Sequence, residues 1–334
     1  MKKTALIGAH HKTGTMLAME IVKLISETGS LKWETDNKPI SLIPNQYRKL
    51  PLSMALQRVP RAKITCNIWF EHEIDMPELV FLHFVRNPLM RVTSAYLYHR
   101  RGAPSDQIKW VDWVIFEFHG QKRSYREILN ELSFADGVLV EAIRTYPEAV
   151  GSARAFKSSL SLPAEDRLTI WLDEFENNPT KSLRSIFDLF FENDPDRLSL
   201  FLLKAKSRNI ILNDDSSLKR SRHVTKTDDN RTVVEKLTKD SPEINFLYET
   251  IMQDMNISSV QMSSTSGSQI LNLLSEIKLS KKYLMLNPEA ASFNPHFWND
   301  RNASNLWQMF TLSNFGCGHL MMYPFIQRFI ANLT

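Results

Sequence analysis

Residues 4–17, Thr-Ala-Leu-Ile-Gly-Ala-His-His-Lys-Thr-Gly-Thr-Met-Leu, most narrow what this chain can fold into. Ala5-Leu6-Ile7 is a short apolar run and reads as a buried strand, which Gly8 breaks. A polar loop follows with Lys12, Thr13, Gly14 and Thr15. Then Leu17, Ile21, Leu24, Ile25 and Thr28 recur at helical spacing, with Gly29 as the stop. A strand, a glycine-bearing loop and a helix in succession aim backbone N–H groups and the positive end of a helix dipole at an anion. Lys12 adds a mobile cation, and Thr13 and Thr15 add hydroxyl donors. The stretch is therefore a candidate phosphate-binding loop.

Residue order separates two kinds of phosphate loop. The nucleoside-triphosphate loop places its Lys after the last Gly. Here Lys12 precedes Gly14. A second stretch bears on the choice. Glu78-Leu-Val-Phe-Leu-His-Phe-Val85 is nearly continuous in apolar residues, the pattern of a strand covered on both faces of a parallel sheet. It runs into Arg86-Asn87-Pro88, with Ser94 and Tyr96 on the helix that starts near Pro88. A guanidinium fork and a hydroxyl at a helix start suit a dianionic phosphate.

These two stretches together resemble the PAPS-dependent sulfotransferases (PAPS is 3′-phosphoadenosine 5′-phosphosulfate). That family carries a K-[ST]-G-T core after its first strand. It carries a second motif in which a strand ends in Arg, Pro follows two residues later and a Ser lies on the next helix. The resemblance covers about residues 1–257. It implies a P-loop-like, three-layer α/β/α fold with a central, mostly parallel sheet, followed here by a C-terminal extension. It implies PAPS as sulfuryl donor without a metal. Lys12, Thr13, Gly14, Thr15 and Met16 are then expected at the 5′-phosphosulfate, and Arg86 and Ser94 at the 3′-phosphate. The family closes its cofactor pocket with a basic, glycine-containing loop. Lys219-Arg220-Ser221 stands in that place without the glycine, and Arg220 is the preferred residue.

The rest of the chain fits around these motifs. Ser30 to Pro60 holds Pro39, Pro44, Pro51 and Pro60 and is expected to be irregular or only briefly helical. Ala62 to Phe70 reads as a strand running into Glu71-His72-Glu73. Ligands of open α/β sheets gather at the carboxyl ends of strands. His72, with an ordinary pKa near neutrality, is the first candidate for a catalytic base. Glu71 is the second, since alternation lets only one of the two face a pocket, and Glu34 is the third. His10 and His11 flank the loop. Trp110, Trp113, Phe116, Phe118 and His119 form an aromatic-rich patch that suits the lining of an acceptor pocket but reads first as core. Ser133 to Phe156 and Val233 to Met255 read as helices, and Leu168–Leu172 as a strand leading through Asn178-Pro179 into another helix.

Ser258 to Gln269 is Ser-rich and nearly chargeless and reads as a linker to a C-terminal helical segment, 270–334, whose role the sequence leaves open. The net charge of +4 suits an anionic cofactor without arguing for nucleic acid. Two cysteines exclude a disulfide framework, and neither has neighbours at metal-ligand spacing. No apolar run approaches membrane-spanning length, so a cytoplasmic protein is expected. The expected reaction is transfer of a sulfuryl group to a hydroxyl or amine of a small-molecule or carbohydrate acceptor. The rival readings are a P-loop kinase and a non-catalytic nucleotide-binding protein.

Overall fold

A computed structural model describes residues 3–33, 38–44, 47, 50–67, 70, 72–101, 110–113, 115–211, 229–257 and 277–279. The described residues divide into two compact units. The first draws on the spans Met1–Asn87, Glu148–Arg220 and Asp254–Ile257, the second on Pro88–Pro147, Ser221–Gln253 and Ser258–Thr334.

The first unit is built on five parallel strands: β1 (Thr4–Gly8), β2 (Ile40–Leu42), β3 (Ile64–Asn67), β4 (Leu79–Val85) and β7 (Arg167–Trp171). Their order is β2-β3-β1-β4-β7. Period-2 alternation sorts their side chains between two cores. Ala5, Ile7, Val80, Leu82, Phe84 and Ile170 pack on one side with helices α1 (Thr15–Thr28), α8 (Pro179–Phe190) and α9 (Pro195–Ser207). Leu6, Leu79 and Phe81 pack on the other with α2 (Leu52–Gln57), Phe70 and Ala155. This is the expected three-layer α/β/α arrangement, and it explains why β4 is apolar on both faces. Because β1 sits between β3 and β4, the chain leaves β1 and β4 toward opposite edges of the sheet. The crevice at such a switch point is where α/β sheets place their ligands. Register pairs Gly8 with His83, so the loops after both strands emerge side by side.

Gly8 has a packing reason. A Cβ there would meet the rings of Phe70 and Phe81, each at 3.0 Å. The strand expected from Ala62 to Phe70 is shorter than its composition suggests. It ends at Asn67, and the Phe70 N–H donates to the Ala9 carbonyl at 2.9 Å. His72 accordingly lies five residues beyond the strand rather than at its tip. The Pro-rich region contains the three-residue β2 strand as well as the brief helix α2.

The second unit contains α3 (Pro88–Arg101), the short α4 (Trp110–Trp113), strands β5 (Ile115–Phe118) and β6 (Gln121–Ser124), α5 (Tyr125–Glu131) and the first half of α6 (Phe134–Ser159). β5 and β6 form a hairpin over His119 and Gly120, both at positive φ (51° and 70°), the backbone a two-residue turn of the favoured hand requires. Phe116 and Phe118 are buried, as core aromatics. The single helix expected over Val233–Met255 is two helices, Arg231–Asp240 and Pro242–Asp254, because Pro242 cannot continue the first. Of the C-terminal segment, Ile277–Leu279 (β8) pair antiparallel with β5. The linker reading of 258–269 and the remainder of 270–334 lie outside the described residues.

A buried charged network organises this unit. Glu141 is fully buried and takes Tyr125 Oη at 2.8 Å, Arg144 Nε at 2.8 Å and His99 Nδ1 at 3.0 Å. Burial pushes the Glu141 carboxyl up, but Arg144 and His99 outweigh it and hold it at about 2.

Candidate functional site

The loop after β1 closes on itself. The Thr13 hydroxyl donates to the His10 carbonyl at 3.0 Å and accepts from the His10 N–H at 2.7 Å, and the Thr13 N–H returns to the His10 carbonyl. Thr13 is wholly buried. Its hydroxyl therefore fixes the turn, which leaves the donor role expected of side chains here to Thr15. Lys12 and Gly14 adopt left-handed backbone, φ 62° and 93°. Gly14 is the N-cap of α1 with no side-chain cap bond, so the first N–H groups of a 14-residue helix point out of the loop without a capping side chain. Alternating left-handed residues before such a terminus form a concavity of backbone donors that suits a phosphate. Met16 lies in the first turn and is exposed.

Arg86 closes the loop's other side. It leaves the carboxyl end of β4, is buried, and its Nη1 donates to the Lys12 carbonyl at 3.5 Å. Asp173, at the start of α7 (Leu172–Asn177), stands 3.6 Å from Arg86 Nε. Two groups expected on separate motifs, Lys12 and Arg86, are thus brought together, and the acidic run after β7 supplies a partner that sequence reading gave no site role. Ser94 belongs to the second unit, where it is buried on α3.

His72 is 2% exposed. Its Nδ1 lies 2.7 Å from the Leu50 carbonyl. A carbonyl only accepts, so Nδ1 carries the hydrogen and Nε2 keeps its lone pair. That Nε2 is buried and makes no hydrogen bond among the described residues. Burial lowers the pKa of His72 from its ordinary value, with the Leu50 carbonyl and the Asp75 carboxylate opposing. A neutral imidazole of fixed tautomer with an available lone pair is the form a general base requires. Glu71, Glu34 and Arg220 lie outside the described residues.

Around His72 stand groups that sequence reading underrated. Phe70 packs edge-on to His72 (ring centroids 5.3 Å apart) and to His10 (6.3 Å). His10 Nε2 lies 2.7 Å from His83 Nε2, and both rings are buried. Burial pushes His83 down to about 3. His83 was visible in the sequence as the one polar residue inside the apolar β4 run, but nothing local marked its partner. His11 lies at ion-pair distance, 3.4 Å, from Glu148 on α6. Among the described residues no group of three His, Cys, Asp or Glu is placed to hold a metal, and no helix is long and apolar enough to cross a membrane.

No protein-family model matches this chain, and no curated protein does. Among solved structures, the crystal structure of mouse sulfotransferase SULT7A1 complexed with PAP is similar over 76% of this chain and 84% of its own, at 14% identity and a TM-score of 0.38.

Proposed function

We propose that this chain is a sulfotransferase that uses PAPS to sulfate a hydroxyl or amine of a small-molecule or carbohydrate acceptor. One observation carries the reading. The Lys12–Gly14 turn opens an uncapped helix N-terminus toward solvent, with Lys12 before the glycine and Arg86 on its carbonyl. The residues fit the donor's two anionic ends. Backbone donors of Gly14, Thr15 and Met16 and the Thr15 hydroxyl take the 5′-phosphosulfate, with Thr13 holding the turn in shape. Arg86 takes the 3′-phosphate, with Ser94 and Arg220 assigned to the same cofactor on the sequence motif alone.

The donor supplies an activated sulfuryl group, and the chain's residues do the remainder. His72 Nε2 accepts the proton of the acceptor hydroxyl as its oxygen bonds to sulfur. The bond from sulfur to the bridging phosphate oxygen breaks, and the Lys12 ammonium meets the charge left on that phosphate. One such cation in a dry site is worth several kcal/mol, on the order of a hundredfold or more in rate. Glu71 and then Glu34 are the alternative bases.

Titration calorimetry with adenosine 3′,5′-bisphosphate, run beside ATP–Mg²⁺, tests the reading. Bisphosphate binding that weakens about 10–100-fold in Arg86→Ala is expected, the range for a charge-assisted bidentate contact. Binding of ATP–Mg²⁺ instead, or of neither, overturns it in favour of a kinase or a non-catalytic nucleotide-binding protein.

A further inference from the structure

The His10–His83 pair lies beneath the anion loop, and neither ring has a part in the chemistry above. An imidazole Nε2 is either N–H or a lone pair. Two such atoms 2.7 Å apart, both buried, must share one hydrogen between them. The pair therefore has two accessible states: neutral, or carrying one added proton. Two added protons would set two N–H cations face to face.

We propose that His10 is a proton-coupled ligand of the anion loop: binding of a phosphate there draws one proton from solution onto the His10–His83 pair, with the charge on His10. This rests on the bisphosphate reading of the loop. The charge belongs to His10 because His83 is fully buried, with its ring 5.1 Å from that of Phe81 and 6.1 Å from that of Phe70. Its Nδ1 makes no hydrogen bond among the described residues, so a cation there would be uncompensated. His83 instead serves as the neutral acceptor that makes a His10 cation affordable, through a charge-assisted N–H···N bond. His10 is the loop's first residue, tied to Thr13 through its backbone.

The charges around the pair explain why the proton arrives only with the ligand. From the loop come Lys12 and His11, the latter facing Glu148 of α6. From β4 comes Arg86, facing Asp173 of α7. Beyond Phe70 comes His72, with Asp75 acting on it. The charges of Lys12 and Arg86 are thus matched in number by those of Glu148, which faces His11, and Asp173, which faces Arg86, before any ligand binds. A phosphate dianion tips the local balance negative, and His10, tied by its backbone to Thr13 of the loop, is a group able to answer with a proton at neutral pH.

Calorimetric titration of wild-type protein with adenosine 3′,5′-bisphosphate, in two buffers of different ionisation enthalpy at about pH 7.5, reads the proton count directly. Uptake of up to one proton is expected. The ligand's own phosphate ionises near pH 6 and would release protons, which is the opposite sign. Affinity should fall as pH rises from about 7 to 9, by at most about tenfold per unit. In His10→Gln, whose amide still donates to His83 but cannot take a charge, the uptake and the pH slope should vanish. In wild type labelled with ¹⁵N-histidine, the His10 nitrogens should shift to the doubly protonated form on ligand addition while His83 stays neutral. Binding without uptake, uptake that persists in His10→Gln, or histidine signals unmoved by ligand overturns this inference alone. Absence of bisphosphate binding in wild type overturns it together with the cofactor reading.

Discussion

Lys12 shows how a backbone constraint and a chemical role separate at a single residue. Its φ of 62° is a conformation in which a β-carbon is disfavoured. Lys12→Gly therefore suits the turn and should leave the unfolding free energy within about 1 kcal/mol of wild type, the strain relieved offsetting the entropy of glycine. The same change removes the ammonium, so turnover should drop on the order of a hundredfold or more. Denaturant titration and single-turnover rates on one preparation separate the two, and a destabilisation of several kcal/mol would show that the lysine side chain holds the loop instead. His72 makes a different prediction. As the base it must be neutral, and burial lowers its pKa below the ordinary 6.5. The acid limb of kcat should therefore lie below that value, and His72→Gln should lose about 10²–10⁴ in kcat while still binding the bisphosphate. An unchanged kcat returns the role to Glu71 or Glu34. At this scale, Lys12, Gly14 and Arg86 were legible because each sits in a local motif. His10 with His83 and Arg86 with Asp173 were not, because their partners lie 73 and 87 residues away in sequence and only strand register joins them.

At the scale of elements, periodicity located helices well where one apolar face repeats, as in α1 and α8, and failed where a residue of special backbone cuts the repeat. Pro242 divides one expected helix into two, and β3 ends at Asn67, short of the Phe70 that its composition suggests. β2 escaped notice because three residues between prolines carry almost no pattern. Gly14 joins element to site. A Cβ there would meet Leu172 Cδ1 at 3.2 Å, and the φ of 93° is unfavourable for any side chain. Gly14→Ala should cost about 1–3 kcal/mol and weaken bisphosphate binding together, whereas loss of stability with binding intact would detach the helix terminus from the ligand. In the second unit, α6 delivers Glu141 to Tyr125, Arg144 and His99. Glu141→Ala strands a buried guanidinium and should cost about 3–5 kcal/mol. Replacement costing under about 1 kcal/mol would mean that the network is solvated.

Acid stability follows from the two buried networks, one in each unit, and the sign is the same for both by different routes. His83 is held neutral: its folded value is about 3 against an ordinary 6.5. The unfolded chain binds the extra proton first, so the first unit loses stability as pH falls below about 6.5 and goes on losing it down to about 3. By pH 4.5 that amounts to about 3 kcal/mol from this residue, with His72 adding in the same direction. Glu141 is held charged, about 2 against an ordinary 4.5. Its contribution is intact above about pH 4.5 and is lost only between there and about 2. The first window opens about two pH units above the second, and the two overlap from about pH 4.5 to about 3. Hydrogen exchange followed by mass spectrometry between about pH 7 and 3 should therefore show peptides of β4 losing protection before those of α3 and the Glu141 half of α6. His83→Phe should move the first step to lower pH and leave the second in place. Simultaneous loss in wild type would mean that the units unfold as one body and that a group common to both sets the acid limit.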